Sequence, residues 1–129
     1  MLKGTFFRIE QITENKSDSL PGTPTSSYCI GISLDPDHSL YEGHFPGNPV
    51  VPGVCQIRMI TEIVSEIRGK EVRLVEADNI KFLSMINPKD HPQLTVDCTI
   101  KENEEGIIRV TASLSDHEQV FFKYKSIFA

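Results

Sequence analysis

The sequence predicts an α+β fold: one antiparallel sheet of five to six strands with one long helix laid against it. Three observations carry this. Apolar residues alternate with period two in several runs, a single run shows helical spacing, and turn-forming clusters separate the strands.

The clearest strand sets Tyr28, Ile30, Ile32 and Leu34 on one face. A second sets Leu94, Val96, Cys98 and Ile100 against Thr95, Asp97 and Thr99. The third opposes Ile108, Val110, Ala112 and Leu114 to Arg109, Thr111 and Ser113, and the last aligns Val120, Phe122, Tyr124 and Phe128. Turns are expected at NPKDHP (87–92), ENEEG (102–106) and SDHEQ (115–119), and a Ser/Pro/Gly loop at 17–26. Residues 5–12 and 71–86 read as further, less regular strands.

The spacing predicts one helix over 52–68, with Pro52 at its first position and Gly69 ending it. Val54, Ile57, Ile60, Thr61, Val64 and Ile67 form the expected apolar stripe, with Gln56, Arg58, Glu62, Ser65 and Glu66 on the remaining circumference. The expected organisation is a single domain, 1–129.

Composition excludes several classes. No apolar run approaches the roughly 20 residues that a bilayer span needs. The net charge of −5 argues against a phosphate-tracking surface; the grouping Arg68, Lys70, Arg73 reads as a solvated helix end. Cys29, Cys55 and Cys98 are odd in number and widely spaced, which favours reduced thiols and a cytoplasmic setting. His38 and His44, with Asp35, Asp37 and Glu42, match no regular metal-ligand spacing, so no metal and no cofactor are expected.

The stretch GHFPGNPVVPG, residues 43–53, is stiff with glycine and proline and ends at the helix start. There the amides of Gly53 and Val54 are left free at the positive end of the helix dipole, where they can polarise a carbonyl. His44 lies upstream with a side chain suited to proton transfer near neutrality. A base beside a carbonyl-polarising helix end is the minimum equipment for removing a proton α to a carbonyl.

The string GHFPGNPVVPGV strongly resembles the active-site loop of the β-hydroxyacyl-acyl-carrier-protein dehydratases, hotdog-fold enzymes of fatty-acid synthesis. The likeness extends through the long helix, the strand containing KFL (81–83) and the closing strands. It implies a hotdog fold, one antiparallel sheet wrapped around a long central helix, and subunits that pair with active sites at the interface. It also implies His44 as the base, and Phe45, Pro46, Gly47, Gly53 and Val54 as residues that meet the substrate. The substrate implied is a 3-hydroxyacyl chain on acyl carrier protein, dehydrated to a trans-2-enoyl thioester.

The chain departs from that pattern at one place. The family's acid stands five residues after the PG glycine, and here that position holds Arg58, whose guanidinium cannot deliver a proton. Glu62 follows one turn on. Three readings stay open: an ordinary i,i+4 pair; Glu62 as a displaced acid with Arg58 beside it; or a site that binds acyl thioesters but catalyses little or nothing, as the non-catalytic partner, in a heterodimer, of an active homologue. A hotdog thioesterase is a further class, needing a carboxylate to activate water.

Overall fold

The computed structural model describes residues 2–16, 25–43 and 49–129. The order is β1 (Phe7–Lys16), β2 (Thr25–Leu34), a short 3-10 turn (Ser39–Gly43), α1 (Gly53–Arg68), β3 (Leu74–Phe82), β4 (Gln93–Glu102), β5 (Ile108–Asp116) and β6 (Gln119–Phe128). All six strands form one sheet in the order β1-β2-β4-β5-β6-β3, and every neighbour runs antiparallel.

Each regular strand follows its alternation. Ile30, Ile32, Leu34, Leu94, Val96, Cys98, Ile100, Ile108, Val110, Ala112 and Leu114 are all buried. In β6 the alternation breaks: the register shifts between Leu114 and Ser115, and Phe121 is buried as fully as Phe122, while Val120 is only half-buried. A bulge of this kind turns two consecutive side chains inward. The two less regular strands are real but displaced. Expected at 5–12, β1 runs Phe7–Lys16, and β3 occupies only Leu74–Phe82 of 71–86. The turns close as composition demands: Asn103 accepts the amides of Glu105 and Ile107 through its side chain, and Gly106 takes φ 82.

The helix begins at Gly53, with Pro52 as its N-cap in extended conformation rather than as its first residue. Gly69 closes it at φ 69, its amide bonding the Glu66 carbonyl. Arg68 forms an ion pair with Glu102, which ties the helix C-terminus to β4. Met59, Ile60, Ile63 and Val64 are fully buried against the sheet.

The buried arc is rotated from the expected stripe. Val54 is 74% exposed, whereas Gln56 and Glu62, expected on the polar face, are buried. For Glu62 the reason is the N-terminal segment. Residues 2–6 fold across the helix, with Phe6 buried, and cover the arc that includes Glu62.

Candidate active site

His44, Phe45, Pro46 and Gly47 lie outside the described residues, so the site is built from what flanks them. On the upstream side Tyr41, in the 3-10 turn, packs its ring 5.5 Å from that of Phe6, which also meets His38 edge-on at 5.3 Å. The Tyr41 hydroxyl is buried without a hydrogen-bond partner among the described residues, and burial pushes its ionisation upward, helped by the nearby Cys55 and Asp35. His38 accepts the Leu40 amide at Nδ1, and Asp35 accepts that of Asp37, so both side chains serve the turn.

Downstream, the Val51 amide bonds the Ile86 carbonyl and Gln56 donates to the Val51 carbonyl, which fixes the approach to the helix. The amides of Cys55 and Gln56 both reach the Pro52 carbonyl. Those of Gly53 and Val54 have no acceptor among the described residues and stand at the positive helix end. A Cβ at 53 would lie 2.7 Å from Phe82 Cζ, so a side chain there requires that exposed ring to move aside. That ring stacks on Phe122 at 4.9 Å. Val54, Phe82, Leu83 and Met85 are all exposed, giving the free amides an apolar rim.

Arg58 and Glu62 are brought together one turn deeper. Their ion pair, Nε to Oε2, measures 3.3 Å, with Arg58 half-exposed. Glu62 is 4% exposed and is gripped from the other side. Its Oε1 accepts the amides of Leu2 and Lys3, both at 2.9 Å, and its Oε2 shares the Leu2 amide at 3.0 Å. Lys3 reaches on to Glu66 at 2.6 Å. Four contacts fill the roughly four acceptor positions that a carboxylate offers. Nothing in the sequence pattern signals this clasp, because its donors are backbone amides some sixty positions away.

Burial favours the protonated form of the two buried thiols, Cys55 and Cys98. Burial raises Cys55, and it pushes Cys98 up to about 12 with help from Asp97. In native protein at pH 8, iodoacetamide is therefore expected to spare Cys55 and Cys98 and to modify them only after unfolding, as peptide mass mapping would show. Far from the helix start, His91 pairs with Asp116 at 2.6 Å and lies edge-on to Phe121, partly buried rather than exposed as its turn suggested. His117 is exposed. No group of three His, Cys, Asp or Glu side chains among the described residues is arranged to hold a metal.

The family model described as ApeI-like, ApeI dehydratase, matches residues 22–125. A 3-hydroxyacyl-acyl-carrier-protein dehydratase FabZ of Pediococcus pentosaceus is 31% identical over 100 residues, covering 72% of this chain and 67% of that one. The FabZ of Lactobacillus helveticus is 30% identical over 109 residues, covering 79% and 72%. Among solved structures, the dehydratase heterocomplex ApeI:P of Xenorhabdus doucetiae matches with TM-score 0.57 at 20% identity, over 93% of this chain and 99% of that one. A thioesterase of Pseudomonas aeruginosa matches with TM-score 0.60 at 12% identity, over 97% and 81%. With its six-stranded antiparallel sheet and one helix, and with these structural neighbours, the chain has a hotdog fold. By the match over residues 22–125, the chain belongs to the ApeI-like dehydratase family, within the wider group of β-hydroxyacyl-acyl-carrier-protein dehydratases.

Proposed function

We propose that this chain is the base-bearing subunit of a dehydratase acting on 3-hydroxyacyl thioesters of acyl carrier protein, with the acid supplied by a different hotdog subunit. The observation that carries the reading is the state of the helix. Arg58 occupies the position where the resemblance expects the acid, and the carboxylate next to it is buried with its acceptor positions filled. Glu62 thereby acts as a fastening for the N-terminal segment.

In this scheme the thioester carbonyl sits on the Gly53 and Val54 amides, which stabilise negative charge as it grows on oxygen. His44 takes the proton from C2, the C3–O bond breaks, and the partner's carboxyl gives its proton to the leaving hydroxyl. Water and a trans-2-enoyl thioester result, and the histidine proton passes back through solvent. Phe45, Pro46 and Gly47 are the residues that the resemblance assigns to substrate contact. The open edge of β3 and exposed Val54, Phe82, Leu83 and Met85 form the face on which the second subunit sits. The heterocomplex in the ApeI group supplies a precedent for such pairing. Three free thiols suit a cytoplasmic setting, and no described helix is long and apolar enough to cross a membrane.

The test is complementation. A complete hotdog dehydratase of the same cell, inactivated at its own histidine, is co-expressed with this chain and the mixed species is isolated. Incubated with 3-hydroxyacyl-acyl carrier protein, the mixed species should form enoyl product, while this chain alone should form none. His44→Ala should remove that activity, by roughly 10²–10⁴-fold. Equal turnover by this chain alone would replace the reading with a homodimeric dehydratase that uses water or Glu62 as acid. Release of free acid would replace it with a thioesterase.

A further inference from the structure

The start of α1 is held from an unexpected direction. Its first residue is Gly53, whose backbone is the least restricted of any residue, and its N-cap Pro52 makes no side-chain bond to the first turn. A terminus of that kind frays unless something else fixes it. Ser, Thr or Asp at 52 would fix it by accepting an amide of the first turn, and would then compete for the Val54 amide. Here the fastening comes backwards from the helix. Gln56 donates from Nε2 to the Val51 carbonyl at 3.1 Å, in a buried position. The Val51 amide bonds the Ile86 carbonyl at 2.9 Å, so the peptide groups on both sides of Val51 are fixed. Pro52 follows with a ring-restricted φ of −62°, and its carbonyl takes the amides of Cys55 and Gln56. The first turn is closed while Gly53 and Val54 keep their amides free.

Stability alone does not explain this choice of residue. Gln56 is 3% exposed, on a helix whose Met59, Ile60 and Ile63 are fully buried. Because the Val51 carbonyl takes Nε2, the amide oxygen must face the other way. That Oε1 is buried and has no partner among the described residues. An unpaired buried oxygen lowers stability, and Leu or Met at 56 would not carry one. A side chain that breaks the rule of satisfied polar burial is expected where a site needs it.

We infer that Gln56 is a positioning residue: by gripping the Val51 carbonyl it holds the Gly53 and Val54 amides in the orientation that a thioester carbonyl meets, and it occupies neither of them. The inference rests on the dehydration reading and deepens it. Donors aimed at a developing oxyanion act only where they are held in advance, and a misplacement of about 1 Å can lower the rate about 10²-fold.

The test reads the carbonyl itself. Full chains carrying His44→Ala, so that the probe stays intact, are mixed with a 3-hydroxyacyl thioester of N-acetylcysteamine labelled with carbon-13 at the carbonyl. Isotope-edited infrared difference spectra then report its polarisation. With Gln56 in place the bound carbonyl band should fall to lower wavenumber than in buffer. With Gln56→Met, and with Gln56→Leu as a second apolar variant, that shift should vanish. Tm should move by less than about 3 °C, because the lost hydrogen bond and the removed unpaired oxygen offset one another. In the co-expression assay, with His44 intact, Gln56→Met should lower kcat about 10²-fold and leave KM within about threefold. No shift with Gln56 in place would remove the carbonyl-binding helix start, and this inference with it. A shift retained by both variants would overturn the inference alone. So would loss of the shift together with a fall in Tm of about 10 °C or more, which would mark Gln56 as a structural residue.

Discussion

Glu62→Ala is expected to lower the unfolding free energy by about 3 kcal/mol. The estimate follows from the groups left behind. Two part-buried amides, at Leu2 and Lys3, lose their acceptor, at about 1–3 kcal/mol each. Arg58, half-exposed, regains water and adds little. For a chain of this size the loss corresponds to a fall in Tm of roughly 10 °C, read by circular dichroism. Glu62→Gln keeps one acceptor oxygen and should cost about half as much. A carboxylate acting only as the catalytic acid would behave differently: either change would remove turnover and leave Tm where it was.

Arg58→Glu is expected to have the largest effect on activity. A carboxyl at this position can hold and release a proton, as guanidinium cannot, and general acid catalysis contributes about 10²–10⁴-fold. Dehydration by this chain on its own should rise from background by that factor, measured as enoyl thioester formed on carrier protein. The new carboxylate removes Glu62's ion partner and adds a like charge at i,i+4, a cost of roughly 0.5–1 kcal/mol that the fold can bear. If Arg58→Glu instead lowered an existing activity and Glu62→Gln abolished it, Glu62 would be the acid. Those two patterns exclude each other.

The strands were legible because their faces differ. Where one side meets the helix and the other meets water, as in β4 and β5, period two shows directly in the residues. β3 was poorly legible for a physical reason. It lies at the sheet edge with nearly every side chain exposed, and its register shifts between Asp78 and Lys81, so no alternation is imposed on it. The helix was legible in extent but not in orientation. Val54 looked like core by type, yet its place at the open end of the helix leaves it in solvent. Glu62 looked like surface, and only the folding back of residues 2–6 buries it. At the site, the free amides of Gly53 and Val54 were readable from the helix start. The group that approaches Gly53 in this structure is the Phe82 ring, which spacing does not reveal.

The strand order also has a consequence for synthesis on the ribosome. β3 hydrogen-bonds to β6 alone, and β6 is the last strand of the chain. About 40 residues separate Phe82 from Gln119, so at about 5–20 residues per second β3 waits roughly 2–8 s for its neighbour. During that interval Val75, Ile80 and Phe82 sit on an unpaired strand in the nascent chain. A ribosome stalled between β5 and β6 would thus present a sticky, half-built sheet. Slow codons in that stretch should make the product more dependent on chaperones than slow codons before β3.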